Sequence, residues 1–336
     1  MRICVVGAGA MGGFLGVKLA LSGNDMTFID TGEQLRAIQE KGLKLIMADG
    51  TEHVLDDARA TSFNEAGPQD AVILALKAHH IQDVAEKIPA LYGRDTYVVT
   101  IQNGIPWWYF KKHGGKFEGR RLDSLDPAGV IEKHIPSECI IGCIAYPAAA
   151  IVEPGVVRQV EGMRFPVGEL DGKETDRCRA LVQVLLEAGF KSYILEDIRS
   201  EIWLKAWGNL SFNPISALTH ATLVDICQFP ETRQLAAKMM EEAQDIAGKL
   251  GIRFRHTIER RIAGAEGVGA HKTSMLQDLE SGRALETEAL IGSVLELSRL
   301  TGTPAPAIEA VNACVKLLNK TFLDHKAKVG LIPLES

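Results

Sequence analysis

Apolar positions in the first part of the chain form short continuous runs, separated by stretches of helical period. The run at residues 2–6 precedes a helical stretch from Met11 towards Gly23, and the next apolar run is "DMTFID". Continuous apolar runs are typical of strands buried on both faces of a parallel sheet. Further runs are "LKLIMA", "AVILAL" and "YVVTIQ", and residues 81–91 have helical period. This alternation predicts an α/β fold with a Rossmann-type doubly wound parallel sheet.

The pattern changes twice further along the chain. Residues 138–195 contain "ECIIGCIAYPAA", "GVVRQVEG", "RFPVGE" and "KSYILE", which predict shorter, partly antiparallel strands that extend or close the sheet around a helix near 176–188. After residue 196 almost every segment has helical period, namely 198–212, 231–250, 286–300 and 307–322. We therefore predict two domains, an N-terminal α/β domain over 1–195 and a mainly α-helical C-terminal domain over 196–336.

Composition excludes several classes of protein. The 336 residues are 46% hydrophobic, and 37 Lys and Arg face 43 Asp and Glu without long runs of one sign. This balance gives no basis for nucleic-acid binding. No apolar run reaches the roughly 18 residues of a membrane span, and the N-terminus lacks a signal-peptide pattern. The six cysteines are scattered without a C-x-x-C pair, so we expect a cytoplasmic protein with no metal site.

A complete G-x-G-x-x-G motif follows the first predicted strand and opens the first predicted helix. In that position the first glycine makes a tight turn, the second lets the backbone approach a pyrophosphate, and the third permits close helix packing. The alternative is a purely structural turn. The predicted cofactor-binding loop consists of Gly7, Ala8, Gly9, Ala10, Met11 and Gly12.

An acidic residue ends the second predicted strand, where the dinucleotide-binding motif expects one. The Asp30 carboxylate is expected to accept hydrogen bonds from the adenosine ribose and to repel a 2′-phosphate. The next residues, Thr31 and Gly32, supply no cation. This favours NAD(H) over NADP(H), although Arg36 in the following helix remains within reach of a 2′-phosphate.

The stretch "EIWLKAWGNLSFNP" at 201–214 places three polar side chains on one helix face. Lys205, Asn209 and Asn213 recur every four residues, within about 80° of one another around the helix. One interpretation of this face is a solvated surface, and the other is a small-molecule pocket. The opposite face is expected to pack in the core and consists of Trp203, Trp207 and Leu210.

A lysine in a pocket with two amides suits carbonyl reduction. Hydride addition leaves negative charge on the carbonyl oxygen, and a positioned ammonium both stabilises that charge and donates a proton. Partial burial is expected to lower the pKa of Lys205. We therefore expect Lys205 to be a general acid.

A second group of candidate residues lies in "HKTSMLQDLESGRALETEALIG". Ser274 with Gln277 three residues later fits a capping box, so Ser274 is either a helix N-cap or a ligand-binding residue. On one straight helix Ser274 and Glu286 would be about 18 Å apart. The dipeptide Ser281-Gly282 offers a break that would bring them together.

Two polar residues follow predicted strands of the parallel sheet. Lys77 comes after "AVILAL", and Asn103 lies in "QNG" after "YVVTI". Ligands bind at the carboxyl ends of such strands. The alternatives are a solvated loop for Lys77 and a tight turn for Asn103.

Together these stretches resemble the ketopantoate reductase family (2-dehydropantoate 2-reductases) over essentially the whole chain. The resemblance rests on "GAGAMG", the lysine in "LALKAHH", "QNG", "EIWLKAWGNLSFNPISALT" and "SMLQD". It implies a Rossmann domain that binds the dinucleotide and a helical domain that binds substrate, with the site in the cleft between them. The implied reaction is NAD(P)H-dependent reduction of a small 2-oxo acid to a 2-hydroxy acid, ketopantoate to pantoate.

The resemblance also implies roles for individual residues. Lys205 is the general acid/base, and Glu286 holds the reacting oxygen and helps to orient Lys205. Asn209 and Asn213 hold the polar end of the substrate, and Ser274 holds its carboxylate. The residues next to the nicotinamide are Asn103, which also contacts substrate, and Lys77.

The chain departs from the family pattern at three places. The family typically uses NADPH, with an arginine where this chain has Thr31. The segment "HATLVDI" lacks an asparagine that many members carry, so one polar substrate contact is missing. An extended segment after "QNG" inserts Trp107, Trp108, Tyr109 and Phe110.

The aromatic insertion leaves alternatives open. It is either a packed loop or dimer contact, or part of a remodelled pocket for a bulkier hydroxy-acid or opine-type substrate. A nucleotide-sensing protein without catalysis is the non-enzyme alternative, but it predicts damage to Lys205 or Glu286, and both are intact. The sequence is compatible with a homodimer.

Overall fold

The computed structural model describes residues 1–331, which form two compact units. The first unit contains Met1–Asn103 and Trp107–Ile198. The second contains Gly104–Pro106 and the described residues from Arg199 onward. The chain therefore passes briefly into the second unit directly after Asn103 and returns at Trp107.

Within residues 1–331 the strands all lie in the first unit, where they form a seven-stranded and a four-stranded sheet. They are β1 (Arg2–Val6), β2 (Asp25–Ile29), β3 (Leu43–Ile46), β4 (Glu52–Leu55), β5 (Arg59–Thr61), β6 (Gln69–Leu74), β7 (Tyr92–Thr100), β8 (Ile140–Cys143), β9 (Ala148–Glu153), β10 (Val156–Glu161) and β11 (Val167–Glu169).

The seven-stranded sheet has the order β11-β8-β7-β6-β1-β2-β5. All its pairs are parallel except β11 with β8. The run from β5 through β1 to β8 has the strand order of a dinucleotide-binding sheet, with its switch point between β1 and β6. The predicted Rossmann-type fold is confirmed, and the loops after β1 and β6 lie at the position where such sheets bind ligands.

The four-stranded sheet, in the order β4-β3-β10-β9, was not expected. The run "LKLIMA" supplies β3, which pairs with β4 in a hairpin and with β10, instead of joining the main sheet. The hairpin turns at Gly50, whose N–H donates to Met47 O, so the pairing is local. The stretch "KSYILE" makes only isolated bridges, at Lys191 and Ile194. The expectation that all these segments extend the main sheet was therefore wrong for β3, β9 and β10.

The helices of the first unit lie between these strands. The predicted helix at 81–91 is wrong beyond its first turn, since Ala85–Leu91 is a 3₁₀ segment that contains Pro89. Proline lacks the N–H that an α-helix requires. The α-helices are α1 (Ala10–Leu21), α2 (Gly32–Lys41), α3 (Phe63–Ala66), α4 (Ile81–Val84), α5 (Val130–His134) and α6 (Asp176–Glu187).

The aromatic insertion is packed inside the first unit. The side chains from Trp107 to Phe110 are at most 4% exposed. The Trp108 indole donates to Thr100 Oγ1 at 3.1 Å, and the ring of Phe110 lies 5.4 Å from that of Phe117. These four side chains therefore present no exposed apolar surface for a dimer contact.

A buried ion pair joins β11, α6 and the start of β8. Arg177 donates to both carboxylate oxygens of Glu169, at 2.6 and 2.5 Å, and to the carbonyl oxygens of Glu138 and Ile140. Burial opposes ionisation of Glu169, but hydrogen bonds from Arg177 and Thr175 outweigh it and hold its pKa below the ordinary value.

We expect Arg177→Ala to lower the free energy of unfolding by about 3 to 5 kcal/mol, because it leaves a buried carboxylate without its partner. Arg179→Ala on the same helix, whose side chain is half exposed, should change it little. The wild type keeps this stabilisation above the unfolded-state pKa of Glu169 and loses it as pH falls through the lowered folded-state pKa. Urea denaturation at neutral and acidic pH measures both effects. A similar loss in both variants would contradict the assignment.

The second unit is helical over most of its described length. Its longest helix, α7, continues through Pro214 beyond the predicted end at 212, because Ile215 and Ala217 are still buried. No helix within residues 1–331 combines the length and apolarity needed to cross a membrane. The helices are α7 (Ile198–Thr219), α8 (Leu223–Gln228), α9 (Pro230–Lys249), α10 (Ile258–Gly267), α11 (Ser274–Glu280), α12 (Ser293–Thr301) and α13 (Pro306–Asp324), with a π-helical turn at Glu288–Gly292.

Candidate functional site

The glycine loop connects β1 to α1 with the backbone that the motif predicts. Gly7 has φ +97°, a conformation that side chains rarely adopt, and its N–H donates to Ile29 O. A Cβ on Gly12 would lie 1.9 Å from Gly7 O, so the third glycine permits the helix to pack on the turn. No side chain caps the N-terminus of α1. The first N–H groups of this helix therefore suit an anion such as pyrophosphate.

The loop also leaves space for a bound dinucleotide at Gly9. A Cβ on Gly9 would meet only the Ile151 side chain, at 3.8 Å, so the structure itself does not require glycine there. A phosphate can approach the N-cap of a helix closely only where that space is open and no side chain caps the helix. The residues present fit the cofactor that the motif indicates.

We expect Gly9→Ala and Gly12→Ala to have different effects. Gly12→Ala forces a clash with the backbone of the turn and should lower the free energy of unfolding by about 3 kcal/mol. Gly9 has φ −70° and ψ −158°, which alanine tolerates, so Gly9→Ala should fold normally but weaken dinucleotide binding about tenfold or more. Thermal unfolding and cofactor titration test this. Unchanged cofactor affinity in Gly9→Ala would contradict the role of Gly9.

Asp30 lies directly after β2 and is linked to the glycine loop. Burial raises its pKa, and hydrogen bonds from the backbone N–H groups of Thr31 and Ala8 oppose this. The Thr31 N–H donates to Asp30 Oδ1 at 2.7 Å. Arg36 is exposed on α2. The carboxylate is thus held at the end of β2 as the sequence predicted.

Gln102 positions the loop that contains Asn103. Its side-chain amide donates to Leu74 O at 2.6 Å and to Leu76 O at 3.3 Å, which ties the residues after β7 to the segment that leads to Lys77. Lys77 and Asn103 are both partly buried. The two strand ends are therefore held together. Sequence reasoning missed Gln102, although it stands in the quoted "QNG".

The polar face of α7 is not a solvated surface. Asn213 is buried, and Lys205 and Asn209 are partly buried. The opposite face packs in the core as expected, with Trp203, Trp207 and Leu210 fully buried. The lysine and the two amides therefore lie in a largely enclosed setting.

A buried carboxylate lies one turn before Lys205. Glu201 is 2% exposed and makes two contacts with the Arg255 guanidinium, at 2.9 and 3.2 Å. Neither Glu201 nor Arg255 was predicted from the sequence as a site residue. The signal available was an acidic residue four positions before Lys205 on the same helix face.

Ser274 faces Asn213, and it is not a helix cap. The N-cap of α11 is Thr273, whose hydroxyl accepts from the Leu276 N–H, so the N-cap interpretation of Ser274 was wrong by one position. The Asn213 amide donates to Ser274 Oγ at 3.5 Å. The structure thus brings together two predicted substrate-binding residues that are far apart in sequence.

Glu286 follows the helix break that the sequence suggested. Helix α11 ends at Glu280, Gly282 has φ +68°, and a π-helical turn begins at Glu288. π-Helical turns occur often at functional sites. The Glu286 side chain is buried, so this carboxylate is held inside the second unit.

Gly104 ties the end of "QNG" to the π-helical turn. The Ile105 N–H donates to Ala289 O at 3.0 Å, and a Cβ on Gly104 would lie 2.1 Å from the same oxygen. The φ of Gly104 is +83°. Gly104 thus has the left-handed backbone that glycine favours, and this contact fixes the position of the residue that follows Asn103.

The described residues contain no group of three His, Cys, Asp or Glu side chains that converges to hold a metal ion. The second unit itself offers an amine at Lys205, amides at Asn209 and Asn213, a hydroxyl at Ser274 and a carboxylate at Glu286. This set can bind a polar carbonyl compound and deliver a proton.

Comparisons with known proteins agree along most of the chain. Residues 3–172 match the model of the family "Ketopantoate reductase PanE/ApbA", and residues 197–319 match that of its C-terminal domain. A 2-dehydropantoate 2-reductase from Mesorhizobium japonicum is 49% identical over 95% of this chain and 98% of its own length.

Solved structures are also similar to this chain along most of its length. One from Ralstonia solanacearum MolK2, described as a ketopantoate reductase, has a TM-score of 0.91 and 39% identity over 95% of this chain and 98% of its own. A D-mandelate dehydrogenase solved with NADH and anilino(oxo)acetate shares the fold, with a TM-score of 0.83 and 23% identity over 96% of this chain and 99% of its own. The matches cover both units, and on this evidence the chain belongs to the ketopantoate reductase family.

Proposed function

We propose that this chain reduces ketopantoate to pantoate with a reduced pyridine nucleotide. The observation that carries the proposal is the 49% identity to a 2-dehydropantoate 2-reductase over 95% of the chain. The polar face of α7 supports it independently, since it offers a lysine and two amides in an enclosed setting. Buried or partly buried polar groups of this kind suit a ligand better than solvent.

The dinucleotide is held by the first unit. The N–H groups at the start of α1 would bind the pyrophosphate, with Gly9 allowing its approach, and the Asp30 carboxylate would accept hydrogen bonds from the ribose hydroxyls. Asp30 followed by Thr31 favours NADH over NADPH. Lys77 and Asn103 follow β6 and β7 and would contact the nicotinamide end of the bound nucleotide.

The substrate is held by the second unit. Ser274 donates a hydrogen bond to the substrate carboxylate. Asn209 and Asn213 donate hydrogen bonds to polar groups of the substrate, and the contact of Asn213 with Ser274 fixes the orientation of both side chains. Asn103 also contacts the substrate.

The reduction step needs a proton donor at the carbonyl oxygen. A bound reduced nicotinamide would supply the hydride to the carbonyl carbon. The Lys205 ammonium donates a hydrogen bond to the carbonyl oxygen, transfers its proton as negative charge develops there, and is reprotonated from solvent. Glu286 orients Lys205 and accepts a hydrogen bond from the new hydroxyl. The products are the 2-hydroxy acid and the oxidised nucleotide.

Steady-state kinetics test this proposal directly. Oxidation of NADH and of NADPH by the purified protein is followed at 340 nm over a series of ketopantoate concentrations. Saturable turnover with ketopantoate, more efficient with NADH, is the expected result. Nucleotide binding without turnover would overturn the substrate assignment, and a panel of bulkier 2-oxo acids and of amine plus 2-oxo acid pairs would then identify the reaction.

A further inference from the structure

The guanidinium of Arg261 lies directly against helix α7 at Gly208. A Cβ built on Gly208 would be 2.0 Å from Nη2 of Arg261, 2.7 Å from Cζ and 3.0 Å from Nε. These distances are too short for any real side chain. The absence of a side chain at Gly208 is therefore what allows the guanidinium of α10 to lie on α7.

This contact is next to the catalytic lysine. Gly208 follows Lys205 by three residues and directly precedes Asn209. Cβ positions three residues apart on a helix are separated by about 5–6 Å, so Nη2 of Arg261 lies within roughly 8 Å of the Lys205 Cβ. The guanidinium is beside the polar face of α7, on the flank of Lys205 away from Asn213.

The chemistry of Arg261 differs from that of the other proposed substrate ligands. Asn209, Asn213 and Ser274 are neutral and offer one or two donors each, whereas a guanidinium is permanently charged and offers a planar fork of N–H donors. Ser274 contacts Asn213, on the other flank of Lys205. Because Ser274 binds the carboxylate, a hydrogen-bond donor on the Gly208 side of Lys205 binds a different part of the substrate.

We propose that Arg261 is a further specificity-determining residue that donates a hydrogen bond to the hydroxyl at the non-carboxylate end of the substrate. Gly208 contributes to the same recognition of the hydroxyl, because it makes room for the guanidinium. This inference rests on the proposed function.

Two substrates that differ by one hydroxyl test the assignment. Ketopantoate is compared with 3,3-dimethyl-2-oxobutanoate, which has the same skeleton and carboxylate but no hydroxyl. Loss of a hydrogen bond between a charged donor and a substrate hydroxyl costs about ten- to a hundredfold. In Arg261→Ala we expect kcat/KM for ketopantoate to fall by this factor, with kcat/KM for the analogue nearly unchanged.

Two further variants separate recognition from folding. Gly208→Ala leaves Arg261 in the chain but displaces its guanidinium. It should therefore also reduce the preference for ketopantoate over the analogue that lacks the hydroxyl. Arg260→Ala removes an exposed neighbour on α10 and should leave both substrates unaffected. Thermal unfolding of each variant shows whether it is folded.

The outcomes distinguish this inference from the proposed function. If the wild type reduces ketopantoate but Arg261→Ala loses activity equally with both substrates, or changes only in melting temperature, Arg261 has a structural or general electrostatic role and the inference is wrong. If the wild type does not reduce ketopantoate, the proposed function is wrong and the inference fails with it. A selective loss for ketopantoate in both Arg261→Ala and Gly208→Ala supports it.

Discussion

Replacing Lys205 with alanine should reduce kcat for ketopantoate by about 10² to 10⁴-fold, because proton donation by a positioned side chain contributes on that scale. NADH binding, followed by the change in nucleotide fluorescence, should be unchanged, since the proposed nucleotide ligands lie in the first unit. A small primary amine added to the alanine variant should restore part of the rate. This pattern would assign the proton transfer to the lysine amine.

Lys238→Ala is the matched control, because Lys238 is exposed on α9 and forms an ion pair with Glu241. It should retain wild-type kinetics. A Lys205→Ala enzyme with near-normal kcat would show that another group donates the proton. Loss of nucleotide binding together with turnover would instead indicate damage to the fold.

Asp30→Ala should shift the cofactor preference from NADH towards NADPH by about ten- to a hundredfold in the ratio of kcat/KM values. The substitution removes charge-assisted hydrogen bonds to the ribose, worth about 1.5–3 kcal/mol, and removes a negative charge that repels a 2′-phosphate. Adding Thr31→Arg should increase the shift, because arginine supplies a cation suited to phosphate. Glu33→Ala, an exposed acidic residue in the first turn of α2, is the control.

Acid should have the same effect on the wild type as the Asp30 substitution. Burial raises the pKa of Asp30, so the carboxylate is charged above that raised pKa and becomes neutral as pH falls through it. The preference for NADH should therefore decline as pH falls through this raised pKa, and the decline should be absent in Asp30→Ala. A wild type that prefers NADPH at neutral pH would contradict the interpretation of Asp30.

The aromatic insertion shows how tertiary structure decides between interpretations that the sequence leaves open. Four adjacent aromatic residues next to "QNG" suggested a dimer contact or a larger pocket as readily as a packed loop. In the structure they are buried in the first unit, with Trp108 bonded to Thr100 on β7. Packing partners such as Thr100 and Phe117 cannot be identified from composition, because burial depends on which distant residues surround a segment.

The site also contains pairs that local pattern does not reveal. The spacing of Lys205, Asn209 and Asn213 is visible in the sequence because a helix repeats about every four residues. The contact of Asn213 with Ser274 and that of Gly208 with Arg261 join residues more than fifty positions apart. Neither pair shares a periodic signal, so only the packing of α7 against its neighbouring helices could place them together.

The sequence by itself determined the Rossmann-type sheet, the glycine loop with Asp30 and the polar face of α7, since each follows from short-range periodicity and backbone sterics. The tertiary structure alone decided that "LKLIMA" pairs in a second sheet, that Thr273 and not Ser274 caps α11, and that the Arg261 guanidinium lies against Gly208. The physical reason is that strand pairing, cap choice and close packing are settled by competition among distant parts of the chain, and local sequence does not encode the outcome of that competition.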